Sequence, residues 1–209
     1  MLFLEILIIH SKNEQQKSVS NQVQTARIMA NGDLLYHDGL YMSALQADGS
    51  YDFTENFTYV KPWLKQADLV LGDFEGTINP DYPLSGYPLF NAPQSVTAAI
   101  SDAGYDVMDL AHNHILDSGL EGAFTTADAF KEVGIDPVGV YENPVRDKAP
   151  LFIKNVNGIK VAILSYAYGF NGLESNLTEK EIANHLSNLD EKRMKVEIER
   201  AEKEADVTV

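Results

Sequence analysis

The segment LAHNHILDSG, residues 110–119, holds the most concentrated group of potentially reactive side chains in the sequence. His112, Asn113, His114 and Asp117 follow one another here within six positions, although the chain has only five histidines. Imidazole nitrogens and amide or carboxylate oxygens are the donors that bind Mn, Fe or Zn where no cysteine is present. Packing or solubility hardly explains an asparagine between two histidines. We therefore interpret the segment as functional, and its residue types favour a metal site.

Two other short segments carry carboxylates beside glycines. Asp33 follows Gly32, and the segment GDFEG, residues 72–76, contains Asp73 and Glu75. Neighbouring glycines permit tight turns that would let such side chains point inward, and carboxylates are hard ligands for divalent cations. A Gly-Asp pair after a strand is also common in ordinary turns, so a purely structural role stays open for both segments.

The composition narrows the classes of function. The chain has 209 residues, no cysteine and a formal net charge of −15. A nucleic-acid partner is not expected, because neutralising phosphates requires clustered Lys and Arg. Without cysteine, disulfides and thiolate metal sites are excluded, so any metal must be bound by oxygen and imidazole. The acidic balance is compatible with divalent cations.

Apolar segments of strand character precede all three polar groups. The strands are predicted at residues 26–33, 68–76 and 105–111, and further elements at 60–67, 93–104 and 120–133 (helices) and 136–140 (strand). The segment between residues 34 and 56 is polar and aromatic, and we assign it no helix or strand. Strands that alternate with helices indicate an α/β fold with a parallel sheet. In such sheets functional groups gather at the carboxyl ends of the strands, where these polar groups lie.

The second half of the chain contains clear local signals. Two apolar runs within residues 151–168 flank Asn157-Gly158, which predicts a hairpin with a type I′ turn. The segment TEKE, residues 178–181, has the form of a capping box at the start of a helix. Residues 189–205 predict a charged helix with a narrow apolar stripe of Met194, Ile198, Ala201 and Ala205.

Two features allow alternative interpretations. The aromatic loop at residues 82–90 either lines a substrate cleft or packs over the edge of the sheet. His37, four residues after Asp33, is interpreted as a local polar group or a support for the ligands rather than a ligand itself.

Residues 1–25 differ in composition from the rest. An apolar run at residues 2–9, interrupted by Glu5, precedes a polar stretch, which resembles the remnant of a signal or anchor followed by a linker. The run is too short to span a bilayer, and no basic segment precedes it. The alternative is an N-terminal extension of a cytoplasmic protein.

Four segments in order carry a resemblance to a known family: ANGDLLYH, ADLVLGDFEGTI, YDVMDLAHNHILDSG and NGIKVAILSYAY. They resemble the CapA family, bacterial poly-gamma-glutamate capsule synthesis proteins with a calcineurin-like metallophosphatase fold. The resemblance runs from about residue 26 to the last residue. It implies a metallo-dependent phosphatase-like α/β sandwich at 26–209 that lacks its C-terminal part, after the signal or anchor remnant and linker at 1–25.

The resemblance also implies roles for individual residues. Asp33 and Asn113 would be metal ligands, and Glu75 would be a bridging carboxylate. His114 would contact the substrate oxyanion or protonate a leaving group, with Asp117 orienting it. The implied cofactors are two divalent ions, Mn, Fe or Zn, which would make a bridging water nucleophilic at neutral pH.

The chain departs from the family pattern at two of these positions. The family more often has asparagine where this chain has Asp73, and a small polar residue where it has His112. Asp73 would add negative charge and tighten cation binding, and His112 would be an extra ligand or a hydrogen-bond donor behind the ligands. The remaining ligands of the family lie beyond residue 209, so this chain is expected to supply the first half of a two-metal site.

From this we expect a capsule biosynthesis or export protein at the cell surface, membrane-anchored in its full-length form, with a metal-dependent hydrolase-like domain. The bond cleaved would be a phosphoester or an amide. Expected partners are the anionic capsule polymer or its precursor and membrane-associated capsule synthesis proteins. The alternatives are a non-catalytic component of such a complex, or an inactive truncated fragment whose exposed edge strand would favour aggregation.

Overall fold

Four short parallel strands form the central sheet of the computed structural model, which describes residues 23–209. They are β1 (Ile28–Asp33), β2 (Leu69–Asp73), β3 (Val107–Asp109) and β4 (Asp136–Val138), and they lie side by side in that order. Of the predicted signal or anchor remnant and linker at residues 1–25, residues 1–22 lie outside the described part of the chain.

Helices cover one face of this sheet. They are α1 (Asp38–Ala44), α2 (Lys61–Leu64), α3 (Ser95–Ala103) and α4 (Gly119–Glu132). Strand residues with side chains on this face, among them Val70 and Met108, pack in one buried cluster with Ile100 of α3 and Phe130 of α4. Burial of a side chain of this size contributes about 2 kcal/mol, so the helices are fixed against the sheet by apolar packing.

A smaller sheet covers the other face. It consists of β5 (Ile153–Val156), β6 (Ile159–Ala162) and β7 (Val207–Thr208), with β5 antiparallel and β7 parallel to β6. A second buried cluster, which includes Leu69, Val107 and Val161, fills the space between the two sheets. The predicted α/β sandwich with a parallel sheet is therefore confirmed.

The predicted hairpin joins β5 to β6. Asn157 and Gly158 both have positive φ, 54° and 88°, which is the backbone of a type I′ turn.

Since glycine adopts this conformation without steric cost, we expect Gly158→Ala to lower the free energy of unfolding by about 1 kcal/mol. An added Cβ would also lie 2.5 Å from the side chain of Gln24. Urea denaturation would measure the change. Gly39→Ala in α1 is the control, because a Cβ there meets nothing within 4 Å. Equal stability of the Gly158 variant and the unchanged protein would contradict the prediction.

The segment between residues 34 and 56 differs from the prediction, because it contains helix α1 and a 3₁₀ turn at Thr54–Phe57. His37 caps α1: its ring accepts a hydrogen bond of 2.8 Å from the Asp38 N–H. Histidine is not among the usual capping residues, so residues 34–56 contain no recognisable signal for the start of a helix. The contact agrees with the interpretation of His37 as a local polar group.

Two further helices, α5 (Glu179–His185) and α6 (Glu191–Glu204), lie between β6 and β7. The capping box of α5 is confirmed, with Thr178 and Glu181 bonded reciprocally. In α6, by contrast, Ala201 is fully buried but Ile198 stays 39% exposed. The helix also carries one side of a buried ion pair: the Arg146 guanidinium donates to both carboxylate oxygens of Glu197, at 3.2 and 3.0 Å.

Candidate functional site

Three aspartates stand in a row where the first three strands end. Asp33 is the register partner of Asp73, and Asp73 is the partner of Asp109. Register partners on parallel strands point to the same face. Two residues earlier in β2 and β3, on that same face, Leu71 and Val107 pack between the sheets. The acidic row therefore lies at the rim of the space between the two sheets.

Burial and mutual repulsion raise the pKa of Asp73 to about 7, and Asp109, Asp33 and Glu75 are the charges responsible. Within residues 23–209, its Oδ1 is buried without a hydrogen-bond partner. A buried carboxylate needs a partner or a cation to remain charged. The oxygen-rich donor set and the unpartnered oxygen thus fit a divalent cation.

Asp109 belongs to this row although the sequence analysis did not select it. Its Oδ1 accepts hydrogen bonds from the Ala111 N–H, at 2.8 Å, and from the hydroxyl of Ser165, just after β6. Burial raises the pKa of Asp109, and these two hydrogen bonds oppose the shift. The signal in the sequence was a third strand that also ends in aspartate.

Glu75 connects the acidic row to the histidine segment. Its pKa is raised by burial and by the neighbouring Asp33 carboxyl, and His114 opposes the shift. Oε1 of Glu75 lies 3.8 Å from Nε2 of His114. Asp33, Asp73, Glu75 and His114 therefore lie together, as the sequence analysis expected for strand ends that meet at one edge.

The His114 ring is held on its other side by Asp117. Nδ1 of His114 lies 2.8 Å from Oδ2 of Asp117, and the same oxygen accepts a 2.6 Å hydrogen bond from the Phe90 N–H. The Phe90 ring meets the imidazole edge-on, with 4.8 Å between the ring centres. Burial raises the pKa of Asp117, while the Phe90 N–H and His114 oppose the shift. An imidazole held in this way can transfer a proton through Nε2.

His112 is buried, and its Nδ1 accepts a 3.1 Å hydrogen bond from the His114 N–H. Burial, with a smaller effect of His114, lowers the pKa of His112 to about 3, so its ring is neutral. In the part of the chain that the structure describes, Nε2 has no hydrogen bond of good geometry, although the Phe74 carbonyl lies near. Ligation of a metal by His112 would have to use that nitrogen.

Asn113 is placed differently from the other predicted ligands. Its Nδ2 donates a 3.2 Å hydrogen bond to Oδ1 of Asn171, in the loop after β6, and not to a carboxylate. Nδ2 of Asn171 lies 3.4 Å from both ring nitrogens of His114. The sequence analysis missed Asn171. Across residues 23–209, no three His, Asp or Glu side chains have the geometry of a preformed metal site.

Comparison with known proteins identifies the family. The model of the family described as "Bacterial capsule synthesis protein PGA_cap" matches residues 27–209. The chain belongs to the PGA_cap family. The resemblance drawn from four short segments is thereby confirmed, and the α/β sandwich is consistent with the fold expected for that family.

Two curated relatives carry related names. The chain is 35% identical over 119 residues to the "Capsule biosynthesis protein CapA" of Bacillus anthracis, which covers 54% of this chain and 29% of the relative. It is 26% identical over 153 residues to the "PGA biosynthesis protein CapA" of Bacillus subtilis (strain 168), covering 72% and 39%. The chain thus spans about a third of the length of these relatives.

Two open cavities in this PGA_cap domain are lined in part by residues that contact His114, namely Asp117 in one and Asn171 in the other. One, of about 490 Å³, lies under the aromatic loop and is lined by residues that include Tyr82, Tyr87 and Asp117. The other, of about 580 Å³, is lined by residues that include Asn113 and Asn171. Tyr82 and Tyr87 of the aromatic loop thus border a cavity, whereas Phe90 at its end is buried against His114. Among the described residues, neither lining includes Lys or Arg.

Proposed function

We propose that this chain provides the metal-dependent, hydrolase-like domain of a capsule synthesis protein. The observation that carries the proposal is the continuous series of contacts from the acidic row through Glu75 to His114 and Asp117. It places oxygen donors for a cation directly beside an imidazole held by a carboxylate. This pairing suits metal-assisted hydrolysis, in which a cation stabilises an oxyanion and a nearby group transfers a proton.

Asp33, Glu75 and Asn113 are the residues proposed to hold divalent metal, with Asp73 beside them. Bound divalent ions would supply Lewis-acid stabilisation of an oxyanion and a nucleophilic water at neutral pH. His114 would hold a proton on Nε2 for the developing oxyanion or the leaving group. Asp117 would keep the ring in that orientation through Nδ1, 2.8 Å away. Phe90 would limit the access of water to the ring.

The bond to be cleaved is proposed to be a phosphoester or an amide. Both reactions pass through an oxyanion that cations and a proton donor stabilise. The anionic capsule polymer or its precursor is the proposed substrate. The name of the Bacillus subtilis relative, "PGA biosynthesis protein CapA", supports poly-gamma-glutamate (PGA) as that polymer. Since no Lys or Arg among the described residues lines either of the two open cavities, an anionic group would depend on the divalent ions for its charge neutralisation.

The names of the curated relatives support a role in the cell envelope, where capsule polymer is made or exported. Membrane-associated capsule synthesis proteins are the proposed partners. Among residues 23–209, no helix combines the length and apolar character needed to cross a bilayer.

Metal binding tests the proposal directly. We expect the purified chain to bind Mn²⁺ in calorimetry. Asp33→Ala should weaken that affinity by at least about tenfold, because loss of a group that only orients a metal ligand already weakens metal affinity by that much. Asn113→Ala should weaken the affinity as well. Metal analysis of the purified protein would complement the titration.

Asp81→Ala is the matched control, because it removes one carboxylate at an exposed position away from the row. An equal loss of affinity in the Asp81 and Asp33 variants would show a general charge effect and contradict the assignment. No Mn²⁺, Fe²⁺ or Zn²⁺ binding by the unchanged protein would overturn the proposed function.

A further inference from the structure

We propose that Asn171 is a positioning residue that orients Asn113 and His114 together; this inference rests on the proposed function and adds a residue to the same site. Asn171 lies in the loop between β6 and α5, 58 positions beyond Asn113. Its two amide atoms contact two different members of the site, so one side chain holds both.

The contact with Asn113 determines which end of that amide is left for a cation. Nδ2 of Asn113 donates to Oδ1 of Asn171 at 3.2 Å. Divalent ions bind the carbonyl oxygen of an asparagine and not its nitrogen. By engaging the nitrogen, Asn171 leaves Oδ1 of Asn113 as the free end of the side chain.

The contact with His114 restrains the ring without occupying its proton-transfer atom. Nδ2 of Asn171 is equidistant, at 3.4 Å, from both ring nitrogens. It is therefore not in line with the lone pair of either. Nδ1 remains with Asp117, and Nε2 remains directed toward Glu75 and the substrate side.

The backbone at Asn171 restricts which residue types can stand there. Its φ is 55°, in the left-handed region, and Gly172 follows with a φ of 83°. Asparagine and glycine are the residues that adopt this conformation most readily. Phe170, which is 2% exposed, fixes the loop in the core on the preceding side. Glycine would satisfy the turn equally well, so the turn alone does not account for the amide at this position.

The variant Asn171→Gly separates the two roles, because it keeps the turn and removes the amide. We expect its urea denaturation midpoint to match that of the unchanged protein, while its Mn²⁺ affinity in calorimetry falls about tenfold, as for other groups that orient ligands. The ring resonances of His114 should also shift in NMR spectra of the metal-free protein, since the neighbouring amide is lost.

Asn157→Gly is the matched control. Asn157 is also an asparagine with positive φ, but it stands in the hairpin turn and donates to the Thr25 carbonyl. The Asn157→Gly change should alter neither the Mn²⁺ affinity nor the His114 resonances.

Unchanged Mn²⁺ affinity in Asn171→Gly would overturn the inference. If the unchanged protein binds none of Mn²⁺, Fe²⁺ and Zn²⁺, the proposed function fails. The His114 resonances alone then test the inference, and equal chemical shifts in Asn171→Gly and the unchanged protein would reject it.

Discussion

Replacement of His114 by alanine is expected to lower the proposed Mn²⁺-dependent hydrolysis rate by at least about 100-fold, the usual contribution of a positioned proton donor. The reason is the geometry of the ring. Asp117 holds Nδ1 at 2.8 Å, Nε2 faces Glu75 at 3.8 Å, and Phe90 packs against the imidazole. Alanine removes the proton-transfer group but leaves the proposed metal ligands in place. We expect Mn²⁺ affinity to change little, so the loss should appear in kcat.

Two chromogenic probes would measure this loss and also identify the bond. Bis(p-nitrophenyl) phosphate reports phosphoester cleavage, and a γ-glutamyl anilide reports amide cleavage. His185→Ala is the control for removal of an imidazole, since His185 lies at the end of α5 and contacts the Tyr141 carbonyl and the Phe124 ring. Equal rates for the His114 variant and the unchanged protein would contradict the prediction.

The same variant also separates catalysis from a structural role in cells. If deletion of the gene abolishes capsule polymer, full rescue by His114→Ala would favour the non-catalytic component of a synthesis complex. Failure to rescue by a variant that folds and binds Mn²⁺ normally would favour the hydrolase.

The sequence was sufficient to predict that the carboxylates at the strand ends lie close together. Asp33, Asp73 and Glu75 each follow an apolar strand, and the carboxyl ends of parallel strands meet at one edge of the sheet. The order of strands along the chain therefore predicts which carboxylates lie next to one another. His114 and Asp117 were also accessible to prediction, because they lie three positions apart and their contact is local.

Asn171 was missed because its contacts are not local, whereas Asp109 was missed although its strand, like the first two, ends in an aspartate. Asp109 joins the row only through the register of β3 against β2, and its hydrogen-bond partner Ser165 lies 56 positions later. Asn171 reaches His114 from 57 positions away. No periodicity or spacing within one segment reports such a distance, which depends on how the two sheets pack.

Contacts between distant segments also explain why the attachment of α6 differs from the prediction. The apolar stripe predicted a helix bound by packing, and Ala201 is buried, but Glu197 of the helix also pairs with Arg146, which is 51 positions away. The Arg146 guanidinium also lies 5.5 Å from the centre of the Tyr166 ring. Burial of charged side chains is tolerated only when they are paired and hydrogen-bonded. In the sequence, Arg146 and Glu197 look like ordinary surface residues, so their pairing was not predicted.

The Asp73→Asn variant is expected to be more stable than the unchanged protein when metal is absent, and increasingly so as the pH rises. The pKa of Asp73 in the folded protein is about 7, above the ordinary 3.8, because of burial and the carboxylates of Asp109, Asp33 and Glu75. Between these two values the folded state keeps a proton that the unfolded state has lost. Stability therefore falls as the pH rises through this window, and the cost is complete above about pH 7. Asparagine removes this cost.

The expected gain at pH 8 is about 2 kcal/mol. The full pKa difference would correspond to roughly 4 kcal/mol, and we halve it because the carboxyl is only partly buried and its neighbours can relax. Urea denaturation with a chelator between pH 5.5 and 8 would measure the difference, which should shrink toward the acid end of the range.

Asp81→Asn is the control for loss of one negative charge, because Asp81 is exposed. Added Mn²⁺ should reverse the order of the two proteins, since a bound cation converts the repulsion at Asp73 into attraction and asparagine brings less charge to the site. A gain that is the same at every pH, or one that Asp81→Asn reproduces, would mean that Asp73 is not strained by its neighbours. The acidic row would then have no need of a cation, and the strongest physical reason for placing a metal at these strand ends would be lost.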